Sequence, residues 1–444
     1  MRLKLSRQGL WSGIRDRALL RADASSRRRL LSHTLTAAAL ALSGCGGSGE
    51  DPHAKASDTG CRTLAADPAW YGDNRDRLNA MIRDLGTCGK RESAGGAHLA
   101  LFDWDNTIVK GDVGDATFFW MVSNSKVRQP PGGDWTTTSP YLTRQAAAAL
   151  AAACGGLASP GQPLPTGSNA GCADELLSVH GDRRTRTGAE AFAGYNHRRI
   201  NPTSAWSTQL LAGWTDAEVT GFAEAARKQN LDAPAGAEQV VGSSRRAGWM
   251  RYYAQMRDLV GTLQDNGFDV RIISGAPEPV LRVWAAGVNI PAEKAMGLRT
   301  EHDGEVLTSR LTLCGGEPST PYNEGKRCRV NEQVYGITGT AAFEQLPAQQ
   351  RQVFAAGDSD GDVTLIADAT ALRLVINRNQ IELMCRAYDN LDGRWLVNPM
   401  FIDPLQTSPP YPCASQGFER PDSDRAPLLR PDGSVVTDQQ DRAH

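Results

Sequence analysis

Apolar residues along the chain alternate between helical and strand-like spacing, and the order of the two periods predicts the architecture. From Asn74 to Leu85, the positions Leu78, Met81, Ile82 and Leu85 fall on one helical face. After Gly95-Gly96, the run His98-Leu99-Ala100-Leu101-Phe102 has no polar alternation and predicts a short strand buried on both faces. Helical signals then prevail from 116 to 264. Ser139-Pro140 predicts a helix start, with the helix running through an alanine-rich stretch to Cys154 and stopping at Gly155-Gly156. Thr215 and Glu218 form a capping-box pair for a helix to about Lys228. Trp249, Tyr252, Tyr253, Met256, Leu259, Val260 and Leu263 mark another. Beyond Gly267, strand signals return at 268–273, 353–356 and 372–376, with helical stretches between them. Strands that alternate with helices predict an α/β fold built on a doubly wound parallel sheet, with ligands at the carboxyl ends of the strands. An insert of roughly 150 residues interrupts it.

The 444 residues are too many for one compact core, and 40% hydrophobic with 22% charged content excludes a disordered chain and a multi-span membrane protein. The net charge of −2 hides an uneven distribution. Residues 1–44 carry nine Lys+Arg and two Asp+Glu, or +7, and the remaining 400 carry 39 against 48, or −9. An acidic body argues against a nucleic-acid partner. Ser26-Arg27-Arg28-Arg29 precedes a modestly apolar run, Leu30 to Leu42, that is too short to span a bilayer and ends at Leu42-Ser43-Gly44-Cys45. This order resembles a bacterial lipoprotein signal with Cys45 as the lipidated residue, and the arginine pair resembles a twin-arginine signal. The competing reading is a basic leader ahead of a chance apolar run. Residues 45–60 read as a flexible tether, so the expectation is an exported, periplasmic or cell-surface protein whose membrane contact is the lipid anchor. Setting Cys45 aside leaves eight of nine cysteines, an even number that suits an oxidising compartment. Sequential pairing is expected, because Cys154/Cys172 and Cys314/Cys328 each bracket a Gly/Pro-rich loop, and a zinc site lacks its Cys-x-x-Cys spacing.

Candidate chemistry lies at the predicted strand ends. Asp103-Trp104-Asp105-Asn106-Thr107 follows the first strand, and alternation sends Asp103 and Asp105 to the same side, where two carboxylates demand a cation or a proton. Taken alone, Asp-x-Asp also occurs in calcium loops and turns. Ser274-Gly275-Ala276-Pro277 ends the second strand ahead of a helix, which reads either as an anion site or as a plain helix cap. Lys326, one of only eight lysines beside forty arginines, precedes a helical run. Gly357-Asp358-Ser359-Asp360-Gly361-Asp362 follows the third, either as a cation site or as a hydrated acidic turn.

In order, Asp103-x-Asp105-x-Thr107, Ser274, Lys326 and Asp358/Asp362 resemble the four signature motifs of the haloacid dehalogenase superfamily, over about Leu99 to Asn377. The chain looks most like the phosphoserine phosphatase group and its phosphorylcholine phosphatase relatives. The hairpin-like stretch from Gly297 to Thr308, Asn377 and Trp395-Leu396-Val397-Asn398-Pro399 resemble theirs. The resemblance implies a Rossmann-like core, 61–115 and 265–407, with 116–264 as a mostly helical cap and 408–444 as a peripheral tail. It implies a phosphomonoesterase in which Asp103 is the nucleophile and Asp105 the general acid and base. Thr107 would steady Asp105, and Ser274 and Lys326 would neutralise phosphate oxygens. Magnesium would be held by Asp103, the backbone carbonyl of Asp105 and Asp358, with Asp362 behind them.

Asp112, nine residues after Asp103, and Gly275 are the candidate substrate contacts. Phosphoserine phosphatases resemble this stretch but typically carry a longer Glu where Asp112 stands. A small phosphate ester such as phosphorylcholine, phosphoethanolamine or phosphoserine is the expected substrate. A cage for a quaternary ammonium is expected only if some of Phe118, Phe119, Trp120, Tyr195, Trp206, Trp214, Trp249, Tyr252 and Tyr253 leave the cap core. The alternative is an exported lipoprotein that uses the same fold as a non-catalytic binding module.

Overall fold

The structure, a computed structural model, describes residues 60–88 and 96–444; the leader, Cys45 and most of the tether lie outside the described residues. Six strands build the central sheet: β1 (Leu99–Phe102), β2 (Asp269–Pro277), β3 (Ala295–Leu298), β4 (Phe354–Gly357), β5 (Leu372–Asn377) and β6 (Trp395–Pro399). Their order is β6-β5-β4-β1-β2-β3, and every neighbouring pair is parallel. The chain therefore winds outward from β1 in one direction and then returns to wind in the other. This puts the topological switch beside β1, where such sheets bind ligands.

β1 is apolar throughout because both of its faces are covered. Ala100 and Phe102 belong to an apolar cluster with Met256, Leu259, Val260 and Leu263 of a helix at Ala254–Asp265. Leu99 and Leu101 point the opposite way, into a cluster with Val330, Leu365 and Leu383. At roughly 1.5–3 kcal/mol for each large apolar side chain removed from water, this double burial fixes the strand register.

Eleven helices are used below by label. They are α1 (Asn74–Leu85), α2 (Val113–Ser123), α3 (Arg144–Cys154), α4 (Ala170–Gly181), α5 (Pro202–Gln209), α6 (Asp216–Asp232), α7 (Ala254–Asp265), α8 (Glu278–Ala285), α9 (Glu324–Tyr335), α10 (Val363–Ala367) and α11 (Ile381–Asp389). α3 and α4 are joined by the Cys154–Cys172 disulfide and share a third apolar cluster with Phe118 and Trp206. The capping box on α6 forms as its sequence suggests, with Thr215 and Glu218 each bonding the other's backbone.

Five local expectations change, the first being that the helix marked from Trp249 begins only at Ala254, after a short strand at Arg251–Tyr252. α3 starts at Arg144 rather than at Ser139-Pro140, because the Thr143 side chain accepts from the Ala146 N–H and supplies the cap. The helical insert also holds a hairpin, Glu238–Val241 against Ser244–Ala247, whose polar strands carry little hydrophobic signal. Strand signals in the sequence reach no further than 372–376, but β6 pairs outside that strand as an edge strand, where Pro399 costs no ladder bond on the open side. Finally, residues 408–444 are not merely peripheral: Tyr411, Cys413, Leu428 and Val436 are buried on the α11 side of the sheet.

All four disulfides are sequential: Cys61–Cys88, Cys154–Cys172, Cys314–Cys328 and Cys385–Cys413. Among the described residues, no helix is long and apolar enough to cross a membrane.

Candidate active site

The carboxyl ends of β1, β2 and β4 and the start of α9 meet at a cavity of about 430 Å³. The Asp103 N–H donates to the Ala356 carbonyl at 2.9 Å, which continues the β1–β4 pairing one residue past β1 and sets Asp103 beside Asp358. Asp103, Asp105, Lys326 and Asp358 all line the cavity, so the two motif-one carboxylates do leave on the same side.

Lys326 reaches in from α9 and is buried. Its Nζ donates to Asp103 Oδ1 at 2.5 Å, Asp362 Oδ1 at 2.6 Å and the Ile273 carbonyl at 3.0 Å. Burial alone would lower its pKa, but Asp103 and Asp362 outweigh burial and hold it above its ordinary value.

Asp362 is enclosed by the turn that carries it. Its Oδ2 accepts from the Asp358 N–H, the Ser359 N–H and the Ser359 hydroxyl, each at 3.0 Å. Gly357 permits this, because a Cβ there would stand 2.6 Å from the Asp362 Cβ. With Lys326 on its other oxygen, Asp362 organises the loop rather than facing the cavity.

Thr107 does not steady Asp105. Its hydroxyl lies 3.0 Å from Asp103 Oδ2 and 3.2 Å from Asp358 Oδ1, and so joins those two carboxylates. Asp105 is held instead by the Val113 N–H, donating to Oδ1 at 2.7 Å, and by the Ser274 hydroxyl, donating to Oδ2 at 3.1 Å. Ser274 is fully buried, and its Oγ also accepts from the Ala276 N–H. It therefore touches the cavity only through Asp105, whereas Gly275 and Ala276 line the wall.

The electrostatics describe a site short of positive charge. Burial, followed by the charge of Asp362, pushes Asp103 well above the carboxylate range despite Lys326. Burial raises Asp358 even though Arg378 pulls it down. Burial, then Asp112 and Asp103, raises Asp105 well above its usual range. Carboxylate oxygens of Asp103, Asp358 and Asp362 lie within 4.8 Å of one another, and all three residues are buried. Beside the Lys326 ammonium, the metal-ligating atoms that converge there are all oxygens, and the Thr107 hydroxyl has one proton for two carboxylates, so the cluster fits a hard divalent cation such as magnesium. Asp103 and Asp358 have the oxygens to hold it. The Asp105 carboxyl is not part of this trio, and the ligand implied for Asp105 is its backbone carbonyl.

Asp112 caps α2, accepting from the Asp115 N–H at 2.9 Å, and also borders the cavity. Burial by the surrounding protein and repulsion from Asp115 raise its carboxyl to about 7, although its surface remains open to cavity water. Asp115 in turn pairs with His180 of α4 at 2.7 Å, which ties α2 to α4 across the cavity wall.

None of the nine cap aromatics lines the cavity. They pack with other side chains: Trp120 and Trp214 against Phe222, Trp206 against Phe192, and Tyr252 against Trp104 and Trp284. Among the described residues, Tyr322, just before α9, is the single Phe, Tyr or Trp on the wall. Sequence reasoning also passed over Arg378, Arg183 and the Asp115–His180 pair, all of which reach the cavity. Arg378 could have been found from its place directly after Asn377, at the carboxyl end of a sheet strand. Nothing local distinguishes Arg183 from the other arginines.

No protein-family model matches the chain, and no curated protein matches it. Among solved structures, a conserved protein of unknown function from Anaerococcus prevotii is 18% identical, covering 77% of this chain and 94% of its own, with a TM-score of 0.54. That similarity shows a shared fold. The chain is also similar to a substrate-bound phosphoserine phosphatase (11% identity, 63% of this chain and 86% of that one, TM-score 0.29). A HAD family hydrolase from Salmonella enterica serovar Typhi is similar at 13% identity, covering 64% of this chain and 63% of that one, with a TM-score of 0.30.

Proposed function

We propose that this protein is a magnesium-dependent phosphomonoesterase of the haloacid dehalogenase type, which hydrolyses a small phosphate ester through an aspartyl-phosphate on Asp103. The observation that carries this reading is the convergence of Asp103, Asp105, Lys326 and Asp358, from separate elements, on one polar cavity. Asp103 attacks phosphorus and the ester P–O bond breaks. Asp105, whose carboxyl is pushed up by burial and then by Asp112 and Asp103, gives its proton to the leaving oxygen. Asp105 then accepts a proton from the water that attacks the aspartyl-phosphate, which releases inorganic phosphate and restores Asp103. Lys326 fixes the rotamer of Asp103, and Ser274 and the Val113 N–H fix that of Asp105. Magnesium bound to Asp103 and Asp358 would offset the charge of the phosphate as the nucleophile approaches.

Asp112 and Asp115 favour a cationic leaving group. A wall with Tyr322 as its one Phe, Tyr or Trp among the described residues offers no cage, which favours an ammonium that can donate hydrogen bonds over a quaternary one. We rank phosphoethanolamine and phosphoserine above phosphorylcholine. Four disulfides and the leader sequence support export, and anchoring at Cys45 is part of the same proposal.

Hydrolysis of p-nitrophenyl phosphate, with and without EDTA and beside Asp103→Asn, tests the reading. Activity lost in both treatments is expected. Activity that survives both refutes it, and an intact protein inert on every phosphate ester supports a binding module instead. A panel of the three esters repeated with Asp112→Ala tests the head-group assignment, which equal losses on cationic and uncharged esters would remove.

A further inference from the structure

Lys326 has no donor to spare. An ammonium carries three N–H bonds, and all three are committed, to Asp103, Asp362 and the Ile273 carbonyl. A phosphate oxygen entering the cavity therefore needs another cation, and Arg378 is placed to supply it. Arg378 follows the last residue of β5, the strand beside β4, and so stands at the same end of the sheet as Asp358. Its Nη1 donates to Asp358 Oδ2 at 2.6 Å. Among the described residues, its Nε and Nη2 make no hydrogen bond, and the side chain is 34% exposed on the cavity wall.

The loop holding Arg378 is anchored on both sides. Asn377 donates to Asp441 at 3.0 Å and to the Ala443 carbonyl at 2.6 Å, and its Oδ1 accepts from the Asn379 N–H. Asn379 takes a left-handed φ of 57° and is bonded in turn by the Tyr411 hydroxyl at 3.0 Å. The C-terminal segment thus braces the loop that carries Arg378.

We propose that Arg378 is the phosphate-gripping cation of this site, with one N–H holding the metal-ligand carboxylate Asp358 and its free N–H groups meeting the phosphoryl oxygens, while Lys326 serves as a positioning residue for Asp103 and Asp362. The inference rests on the phosphomonoesterase reading and adds a catalytic residue to it. The guanidinium suits the task because its fork addresses two acceptors at once.

The test uses the full chain, with inorganic phosphate as the probe. Phosphate inhibition of p-nitrophenyl phosphate hydrolysis and magnesium binding by calorimetry are measured for wild type, Arg378→Met and Arg378→Lys. Losing a charge-assisted contact should weaken phosphate inhibition by about one to two orders of magnitude in Arg378→Met, with partial recovery in Arg378→Lys. Magnesium affinity should stay the same or tighten, because a competing positive charge has left Asp358. A phosphate constant within about twofold of wild type in Arg378→Met overturns the inference. So does a joint loss of magnesium binding, phosphate binding and thermal stability, which marks a structural role. A wild type without EDTA-sensitive hydrolysis refutes the underlying reading, whereas an active wild type with unaffected Arg378 variants refutes this inference alone.

Discussion

Replacing Lys326 by Met removes the buried ammonium while keeping the length of the side chain, and so isolates its charge. The ammonium donates to Asp103 and Asp362 at 2.5 and 2.6 Å, with its side chain 4% exposed. Two charge-assisted bonds at roughly 1.5–3 kcal/mol each set a ceiling of about 3–6 kcal/mol. Breaking a buried pair from one side typically costs about 3–5 kcal/mol, so a loss in that range is expected for metal-free protein near neutral pH. The loss should depend on pH, and its sign follows from the carboxylates. Asp103 is already raised, and without Lys326 it rises further. A carboxyl raised in the folded state binds its proton more tightly there than in the unfolded chain, so stability falls as pH climbs from the unfolded value through the folded one. The deficit should accordingly be larger at about pH 8 than at about pH 5, by ~1.4 kcal/mol per unit of added pKa rise within that window. Equilibrium urea unfolding in EDTA at both pH values measures it, and saturating magnesium should restore part of the loss. A deficit below about 1 kcal/mol, or one that does not change with pH, refutes the reasoning.

Asp105→Asn should leave nucleophilic attack on p-nitrophenyl phosphate largely intact but slow the hydrolysis of the intermediate by about 10²–10⁴-fold. Stopped-flow traces should then show one equivalent of nitrophenol released as a burst. Asp112→Asn keeps the α2 cap and removes a carboxyl raised to about 7, whose penalty is absent below the unfolded value and complete above the folded one. Its melting temperature in EDTA should therefore exceed wild type at about pH 8 and match it near pH 4. Replacing both Cys154 and Cys172 by Ala opens a loop with a sequence separation of 18 and should cost about 3 kcal/mol in urea unfolding, with the cap's apolar cluster still folding at low temperature.

The sheet was legible wherever a strand is buried on both faces. β1 and β4 are unbroken apolar runs, β2 and β5 keep the apolar segments Ile272-Ile273 and Leu374-Val375-Ile376 beside charged Arg271 and Arg373, and each of the four pairs on both sides. β3 and β6 are the edges and do not read as strands in the sequence, although Trp395–Pro399 stands out by resemblance. β3 is the four-residue Ala295–Leu298 with a glycine inside, and β6 has only Trp395-Leu396-Val397 before Asn398-Pro399, so each apolar run is too short to mark a strand by itself. The hairpin at Glu238–Val241 and Ser244–Ala247 carries a two-residue Gly242-Ser243 turn that could have revealed it, but its strands are mostly polar.

Spacing along β1 and the ordered motifs singled out Asp103, Asp105, Lys326 and Asp358, which the structure brings to one cavity, because each follows or opens a regular element. Partner choice within the site was not legible. Whether Thr107 meets Asp105 or bridges Asp103 to Asp358 depends on the path of the loop at Asn106, which has a left-handed φ of 56°. The place of Arg378 at a strand end was legible, but what its guanidinium faces was not, because the neighbouring Asn377 is held by Asp441 and Ala443 at the far end of the chain.

The most direct test of the central claim is acid-quenched mass spectrometry of Asp105→Asn after a brief mix with p-nitrophenyl phosphate and magnesium. The expected result is one phosphoryl group on the peptide bearing Asp103, labile to hydroxylamine and absent in Asp103→Asn. A phosphoryl group on any other residue, or turnover with no trapped intermediate, contradicts it.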